Sequence, residues 1–381
     1  MTSTCGLQAT KTKMRIREAS LEDYGKIAAL QARNGLTART YADWSALCVQ
    51  NPVYLQSDRH VPIGWVLETG AGEIGGFIGN LPLAYHLNGR DLRAAAACAW
   101  AVDPQYRACS IPLLDRFMKQ DGVDLLLSTT LSAAAEAIFS AFQFCKVPTG
   151  TWDRSDFWIT GYRGFAGSAL KAASTLLPEV LAYPVAAALN LRDTFSEDGR
   201  SRRSDCELEV CPEFDSRFEE FWEELKSENS HILLASRTRE TLAWHFRHAL
   251  CTQNAWILSA SYRGRIVAYA VFDRQDRPTL QLKRLRLVDF QALRGFEYAL
   301  QPILDWMLLK CRTKGIHTAE VVGCWLERLR VSGTAAPYRR KMKSWVFYYL
   351  ARDPELARQL EDPSVWAPSS FDGDASVWAG C

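Results

Sequence analysis

The stretch Val102-Asp-Pro-Gln-Tyr-Arg-Ala-Cys-Ser-Ile-Pro112 decides how the first half of this chain is interpreted. The residues before it, 92–102, are mostly small and apolar and predict a long strand. The residues after it, 111–120, have helical spacing of apolar side chains and predict a helix. Backbone N–H groups at the start of a helix bind anions such as phosphate. The stretch is therefore a candidate anion-binding turn, although taken alone it is also an ordinary connection between a strand and a helix.

Strand and helix patterns extend on both sides of this stretch over residues 14–160. The segment 14–24 begins as a short strand, and Ser20 followed by Glu22 and Asp23 predicts the start of a helix. Asn88-Gly89 predicts a tight hairpin turn. The later strands are predicted at 63–68, 73–87, 92–102, 123–128 and 152–160, and the later helices at 111–120 and 132–142.

The second half of the sequence repeats this order of elements. Glu207-Leu-Glu-Val210 alternates like a strand, and the helix that follows has apolar residues at helical spacing. Val102-Asp103 and Val288-Asp289 both end a long predicted strand. A repeated order of this kind predicts an internal duplication. The remaining elements are predicted as strands at 255–260, 265–272, 280–288 and 317–322, a helix at 296–312, and a helix from Trp325.

Composition changes between the two halves. The segment after Gly161 is rich in glycine and alanine, passes through a helical stretch interrupted by proline, and ends in a polar run, 196–205, typical of an exposed linker. We therefore expect an α+β fold with two domains, each a twisted mixed β-sheet flanked by helices. The expected segments are a disordered N-terminus (1–13), a first domain with the candidate site (14–160), a linker with a helix (161–205) and a second domain (206–381).

Length and charge exclude several classes of protein. The chain has 381 residues, too many for one ordinary core and suitable for two domains. A formal net charge of +2 provides no field for holding nucleic acid, so no nucleic-acid partner is expected. The most apolar stretch, 176–191, is interrupted by Pro178, Glu179 and Pro184, so we expect no membrane span.

The cysteine and histidine patterns indicate neither disulfides nor a metal. Eleven cysteines is an odd count, and none forms a C-x-x-C pair. Reduced thiols and a cytoplasmic location are the interpretation that this pattern favours. His245 and His248 lie three positions apart without an evident third ligand, so no metal site is expected.

Three segments resemble the GNAT acyltransferase superfamily: residues 14–24, the phrase Val102-Asp-Pro-Gln-Tyr-Arg107, and residues 134–144. In that superfamily the strand-end phrase enters a loop of pattern Q/R-x-x-G-x-G/A, whose backbone N–H groups bind the pyrophosphate of coenzyme A. The resemblance implies that acetyl-CoA or another acyl-CoA is the co-substrate. Ser110 and Pro112 stand where that loop has glycines, and proline removes one backbone donor. The coenzyme-binding residues so implied are Val102, Arg107, Ala108, Cys109, Ser110, Ile111 and Pro112.

The groups that move protons in that superfamily are not matched here. Its helical signature A-x-x-L-Y-x-x-x-G-F has a tyrosine that protonates the departing thiolate, and Phe139 occupies this position. Many of its members have a glutamate base on the long strand, where this chain reads Ala94-Ala-Ala-Ala-Cys-Ala-Trp100. Tyr85, His86 and Asp103 are the nearest polar candidates, and a structural role is the alternative for each.

The matching phrase of the second half, Val288-Asp-Phe-Gln-Ala-Leu-Arg-Gly-Phe-Glu297, has only Arg294-Gly295 to offer a phosphate. We expect this half to bind coenzyme poorly or not at all. Its strand carries Lys283, Arg284 and Arg286, which either face an anionic acceptor or lie on a solvated sheet edge.

The C-terminal phrases Ser344-Trp-Val-Phe-Tyr-Tyr-Leu350 and Trp366-Ala-Pro-Ser-Ser-Phe-Asp-Gly-Asp374 resemble the ends of tandem GNAT-like proteins linked to bacterial polysaccharide assembly. The resemblance implies an acyl-CoA-dependent N- or O-acyltransferase whose acceptor is unknown, with a bacterial surface sugar precursor as the first candidate. One alternative is a binding or scaffold protein that has lost its catalytic groups, which Ser110, Pro112 and Phe139 favour. The other is an aminoacyl transferase similar to the Fem family, against which stands the lack of a basic excess.

Overall fold

The structure is a computed structural model that describes residues 14–131, 133–150, 152–173, 179–194, 205–322, 336–342 and 345–377. The predicted disorder of residues 1–13 and the helix predicted from Trp325 lie outside these ranges.

The described residues form strands and helices in both halves, with short 3₁₀ helices between them. The strands are β1 (Arg15–Glu18), β2 (Gly64–Glu68), β3 (Ile74–Leu87), β4 (Arg90–Val102), β5 (Leu125–Ser128), β6 (Cys145–Lys146), β7 (Arg154–Ile159), β8 (Glu207–Cys211), β9 (Leu234–Ala235), β10 (Ala255–Tyr262), β11 (Arg265–Arg274), β12 (Arg284–Ala292), β13 (Thr318–Val322), β14 (Tyr338–Lys341) and β15 (Tyr348–Ala351). The helices are α1 (Tyr24–Arg33), α2 (Tyr41–Val49), α3 (Pro52–Leu55), α4 (Ser110–Met118), α5 (Ala133–Ala141), α6 (Tyr162–Ala173), α7 (Ala182–Thr194), α8 (Ser216–Glu228), α9 (Arg239–His245), α10 (Arg247–Cys251), α11 (Leu300–Thr313) and α12 (Pro354–Gln359).

These strands form two mixed sheets. The first has the order β1-β2-β3-β4-β5-β15-β6, with β9 added beside β3, and the second has the order β8-β10-β11-β12-β13-β7-β14. Each sheet contains one parallel pair, β4 with β5 and β12 with β13, among antiparallel neighbours. The two orders therefore correspond position by position. This confirms the predicted α+β fold with two mixed sheets flanked by helices.

The two sheets exchange their sixth strand. The sequence predicts residues 152–160 as the last strand of the first half, but β7 pairs with β13 and β14 in the second sheet. In return, β15 from the C-terminal region pairs with β5 and β6 in the first sheet. The prediction was wrong about the sheet to which this strand belongs, because the alternation of residues along a strand does not specify its partner. The proposed boundary after residue 160 thus falls beyond a strand that serves the other half.

One apolar core runs through both halves. It includes β3 and β4 of the first sheet, β10 to β13 of the second, and aromatic residues of the C-terminal region. Trp152 lies where the halves meet, with its ring centroid 5.1 Å from that of Phe347 and 5.9 Å from that of Trp345. The C-terminal region is therefore packed between the halves rather than laid on their surface.

The predicted linker, 161–205, contains two helices in its described part. Helices α6 and α7 are held at one end by Asp193, whose carboxylate accepts hydrogen bonds from Tyr162 Oη at 2.9 Å and Tyr338 Oη at 2.7 Å. Because Tyr338 belongs to β14, this contact ties the helical segment to the edge of the second sheet.

Two further features bear on the sequence predictions. In the part of the chain that the structure describes, no helix has the length and apolar character needed to cross a membrane. Eight cysteines fall in this part, and no disulfide joins any two of them: Cys48, Cys98, Cys109, Cys145, Cys206, Cys211, Cys251 and Cys311.

Candidate functional site

The first sheet opens between β4 and β5. These strands pair only over Ala94–Ala96 and Leu125–Leu127, although β4 continues to Val102. β4 also has a bulge, since its pairing with β3 shifts between Phe77 and Gly79 and leaves β4 with one residue more than β3. Ala99, in the bulge, has a φ of 50°, which is uncommon for a residue other than glycine. A bulge of this kind bends its strand, and here it lies in the part of β4 beyond the pairing with β5.

A cleft of about 420 Å³ occupies this opening. Its first wall is β4 from Ala97 to Trp100, and its second wall is formed by residues that follow β5 and by α5. The loop after α1, Gly35–Thr37, lies over the entrance with Gln31. The side chains that line the second wall belong to Ser128, Thr130, Leu131, Ala135, Phe139 and Asp374.

An ion pair fixes the loop over the cleft to the end of β4. Arg33, at the C-terminal end of α1, donates from Nε at 2.8 Å to Asp103 Oδ1 and from Nη2 at 2.8 Å to Asp103 Oδ2. Asn34 Nδ2 donates to the same carboxylate at 3.0 Å. The Arg33 guanidinium holds the pKa of Asp103 below its usual value, so this carboxylate is a weaker base than an isolated one. Asp103 therefore has a structural role, because it holds the end of α1 against the end of β4.

The predicted coenzyme loop lies at the end of β4 beside this anchor. Residues Pro104–Cys109 form a 3₁₀ helix that passes directly into α4, which begins at Ser110. Tyr106 packs against Gly75 of β3, where a Cβ atom would collide with the tyrosine ring, and this close approach sets the position of the loop. Arg107, Ala108, Ile111 and Pro112 are exposed, and Val102, Cys109 and Ser110 are half-buried. The predicted residues thus lie together at the accessible entry to α4, where the backbone N–H of Ser110 donates to the Arg107 carbonyl as the 3₁₀ helix passes into the α-helix.

Phe139 closes the cleft from below. Its side chain is fully buried, and its ring lies 4.8 Å from that of Phe144 and 6.0 Å from that of Trp100. Phe139 therefore forms an apolar wall of the cleft. The GNAT superfamily, which the sequence resembles, has a tyrosine at this position.

The structure places the other two candidate proton acceptors away from the cleft. Tyr85 is 2% exposed and donates a hydrogen bond of 3.1 Å to Asp372 Oδ1. Burial raises the pKa of Tyr85 well above its usual value, and the charge of Asp372 adds to the effect. His86 Nδ1 lies 2.9 Å from Asp91 Oδ1, on the hairpin at the far end of β4. Neither residue lines the cleft, and each has a structural partner.

The corresponding part of the second sheet holds a buried ion pair. β12 pairs with β13 as far as Leu287 and continues to Ala292, and Asp289, beyond the paired region, is fully buried. Its carboxylate accepts hydrogen bonds from Arg237 Nε at 2.8 Å, Tyr269 Oη at 2.8 Å and Ser369 Oγ at 3.1 Å. Side chains of three other segments thus meet at Asp289, while the residues that directly follow β13 lie outside the described ranges.

The loop after β12 is also engaged by the protein itself. The backbone N–H of Arg294 donates to Glu228 Oε2 at 2.7 Å, and Arg294 Nη2 donates to the Glu228 carbonyl at 3.1 Å. A carboxylate of α8 therefore takes the donor that a phosphate would use, which supports the expectation that this half does not hold coenzyme.

The charged strand of the second half does not lie at a sheet edge. β12 lies between β11 and β13, and Arg284 and Arg286 are each 3% exposed. Glu320 on β13 accepts from Arg286 Nη2 at 3.2 Å. Burial, together with the charge of Arg286, lowers the pKa of Arg284 to about 9. The interpretation that these arginines lie at a solvated sheet edge was therefore wrong. The sequence around them could not show this, because the carboxylate that pairs with Arg286 lies on another strand, 34 residues later.

Sequence reasoning missed one ionisable group of the cleft. Asp374 lines it, but its position near the C-terminus gave no indication that it would reach the first sheet. The phrase Asp372-Gly373-Asp374 was the available signal, since two carboxylates flank a glycine in a segment that otherwise has only serines and apolar residues.

Metal chemistry has no obvious donor set in the described ranges, where no group of three His, Cys, Asp or Glu side chains could hold an ion. His245 Nε2 lies 2.6 Å from Ser376 Oγ, and His248 Nδ1 lies 2.9 Å from Asp43 Oδ1. The two histidines therefore have separate partners.

Taken together, the splayed parallel pair, the bulged central strand and the helix that starts at its end define the fold of the GCN5-related N-acetyltransferases. Three solved structures share it. A conserved protein of Enterococcus faecalis, described as a probable N-acyltransferase, is 11% identical, with 89% of this chain and 72% of that chain covered and a TM-score of 0.56. N-myristoyltransferase of Saccharomyces cerevisiae with bound myristoyl-CoA is 12% identical, with 91% and 81% covered and a TM-score of 0.55. A GCN5-related N-acetyltransferase of Anabaena variabilis is 11% identical, with 90% and 73% covered and a TM-score of 0.52.

At these identities the likeness concerns the fold. No protein-family model matches the sequence. No curated protein matches it either.

Proposed function

We propose that this chain is an acyl-CoA-dependent N- or O-acyltransferase that binds its donor in the cleft between β4 and β5. The observation that carries the proposal is the early end of the β4–β5 pairing, which leaves an open cleft next to an accessible helix start. The structural neighbours, among them a transferase with bound myristoyl-CoA, support it.

The geometry favours a donor that lies along β4. Backbone groups of β4 beyond Ala96 face the opening rather than β5, so an extended amide-containing arm can pair with them as an added strand does. The pyrophosphate would then lie beside the exposed Arg107 at the entry to α4, where a guanidinium can bind phosphate oxygens. This arrangement would place the thioester near the bulge at Ala99, where a backbone N–H freed from the strand pairing can polarise its carbonyl.

A non-catalytic binding protein is the second candidate. Phe139 favours it, because this buried ring has no proton to give to a departing thiolate. The open cleft beside β4 stands against a purely structural role. The chemical class of the acceptor, including a bacterial surface sugar precursor, stays a prediction.

Calorimetric titration of the wild-type protein with acetyl-CoA and with myristoyl-CoA tests the proposal. We expect at least one of them to bind, and mass spectrometry of mixtures with amines and sugars should then detect an acylated product. Absence of binding at millimolar concentration would contradict the proposal. Binding without transfer to any acceptor would favour the non-catalytic alternative.

A matched pair of substitutions locates the site. Ala97→Leu adds bulk to the wall of the cleft and should abolish binding. Ala84→Leu adds the same bulk to β3 outside the cleft and should leave binding intact. Equal loss in both variants would indicate a general effect on the sheet.

A further inference from the structure

The segment after Pro368 runs buried between the two halves. Ser369 donates to Asp289 of β12, Asp372 accepts from Tyr85 of β3, and Ser376 lies against His245 of α9. Ser369, Asp372 and Ser376 are all buried. A polar segment held on several sides in this way has a fixed position relative to both sheets.

Asp374 lies where this segment reaches the cleft. Thr129 Oγ1 donates to Asp374 Oδ1 at 2.5 Å and Thr130 Oγ1 donates to Oδ2 at 3.1 Å, while the backbone N–H of Asp374 donates to Thr129 Oγ1 at 3.2 Å. Gly373 permits this contact, because it has a φ of 61° and a Cβ atom there would collide with Thr129. The carboxylate is thereby fixed at the point where β5 has ended and the cleft begins.

The surroundings of Asp374 differ from those of a structural ion pair. Its side-chain donors among the described residues are two neutral hydroxyls, backbone N–H groups of Asp374 and Thr129 add to them, and Asp374 has the one carboxylate among the described residues that line the cleft. The other titratable group of that lining is the thiol of Cys98. Burial raises the pKa of Asp374 above its usual value, and the two hydroxyls offset only part of the effect. A buried carboxylate without a cation is costly, and such groups are concentrated at functional sites.

We propose that the Asp374 carboxylate is the catalytic base that accepts the proton of the acyl acceptor, an amine or an alcohol, in the cleft. This inference rests on the proposed acyltransferase function. The acceptor N–H or O–H loses its proton to Asp374 as its nitrogen or oxygen bonds to the thioester carbon. The carbon–sulfur bond then breaks, and the proton passes to the departing thiolate, so the products are the acylated acceptor and free coenzyme A.

The base therefore comes from the C-terminal segment rather than from β4. The alanine-rich β4 has no carboxylate at the cleft, and Asp374 faces that strand from the opposite wall. Asp372, two positions earlier, points to Tyr85 and has a structural role. The two aspartates of Asp372-Gly373-Asp374 thus divide their tasks, one anchoring the segment and the other facing the acceptor.

Two non-reacting analogues test this without knowledge of the acceptor: S-(2-aminoethyl)-CoA, which carries an ammonium group beyond the sulfur, and S-propyl-CoA, its neutral counterpart. Asp374→Asn should weaken binding of the amino analogue by about tenfold or more, on the scale of a charged hydrogen bond, and leave the propyl analogue nearly unchanged. Asp273→Asn removes another buried carboxylate, remote from the cleft, and should leave both affinities as in the wild type. Equal affinities of the amino analogue for Asp374→Asn and the wild type would overturn the inference.

A wild-type measurement covers the case in which Asp374→Asn fails to fold. As the pH is lowered through the titration of Asp374 and towards the ordinary range of an aspartate, the preference for the amino over the propyl analogue should diminish, because the carboxylate takes up a proton. The preference is the ratio of the two affinities. Both analogues carry the same coenzyme phosphates, so protonation of the phosphates does not change this ratio. A preference that does not change with pH, or no preference at any pH, contradicts the inference while the proposed function stands. If neither analogue binds the wild type, the proposed function itself fails.

Discussion

Tyr85 Oη lies 3.1 Å from Asp372 Oδ1, although 287 residues of chain separate them. Tyr85 belongs to β3 and Asp372 to the buried C-terminal segment, so this contact joins the beginning of the fold to its end. Ser369 extends it, since its backbone N–H donates to Asp372 Oδ2 at 2.7 Å and its hydroxyl reaches Asp289 at 3.1 Å. The C-terminal segment is thus part of both halves.

Removing the tyrosine hydroxyl should destabilise the fold. Tyr85→Phe leaves the buried Asp372 carboxylate without one donor, and we expect a loss of about 1–3 kcal/mol in the free energy of unfolding. Tyr349→Phe is a matched control, because Tyr349 Oη donates at 3.0 Å to the neutral carbonyl of Leu360 and should cost about 1 kcal/mol. Denaturant unfolding of both variants measures the difference, and a larger loss for Tyr349→Phe would contradict the prediction.

The buried ion pair of the second half should behave as a unit. Burial would raise the pKa of Asp289, but Arg237 beside it holds that pKa below the usual value. Arg237→Met leaves a buried, uncompensated carboxylate and should cost about 3–5 kcal/mol. The double variant Arg237→Met with Asp289→Leu should recover part of this loss. Thermal and denaturant unfolding measure the stabilities of the two variants. A double variant that is less stable than Arg237→Met would refute the prediction.

The proposed coenzyme loop predicts that corresponding arginine substitutions in the two halves affect acyl-CoA binding differently. Arg107→Ala should weaken binding of acyl-CoA by about 1.5–3 kcal/mol, the scale of a charged hydrogen bond. Arg294→Ala removes the corresponding arginine of the second half, whose N–H groups already bind Glu228, and should have little effect on binding. Titration calorimetry with acetyl-CoA at moderate salt compares them. If Arg294→Ala is the damaging change, the active half has been assigned wrongly.

Asp273 predicts a pH dependence of stability. Burial raises its pKa from 3.8 to about 7, against the opposing hydrogen bond from the Arg274 backbone. Between pH 4 and pH 7 the folded state therefore binds more protons at this site than the unfolded state, and the site's contribution to stability falls as pH rises. Asp273→Asn should match the wild type near pH 4 and be more stable than it above pH 7. Unfolding free energies of both proteins across this range test the sign, and a variant that becomes less stable relative to the wild type as pH rises would contradict it.

Local pattern was sufficient for the order of elements and for the duplication. The periodicity of β3, β4 and α4, and the strand-end phrase at Val102, are properties of adjacent residues, so they can be recognised without the fold. The loop residues from Arg107 to Pro112 do lie together at a helix start. Boundaries were less accurate, since the strand predicted at 280–288 is β12, Arg284–Ala292.

The sequence by itself determined an α+β chain in which one element order occurs twice, and it predicts an anion-binding turn in the first half. The tertiary structure decided which strand lies in which sheet, exchanging β7 and β15, and it alone brought Asp374 to the first cleft. The physical reason is that strand partners and desolvation depend on residues distant in the chain. Alternation along a strand fixes the face of each side chain and not its neighbour, and burial of a carboxylate follows only from the elements that close over it.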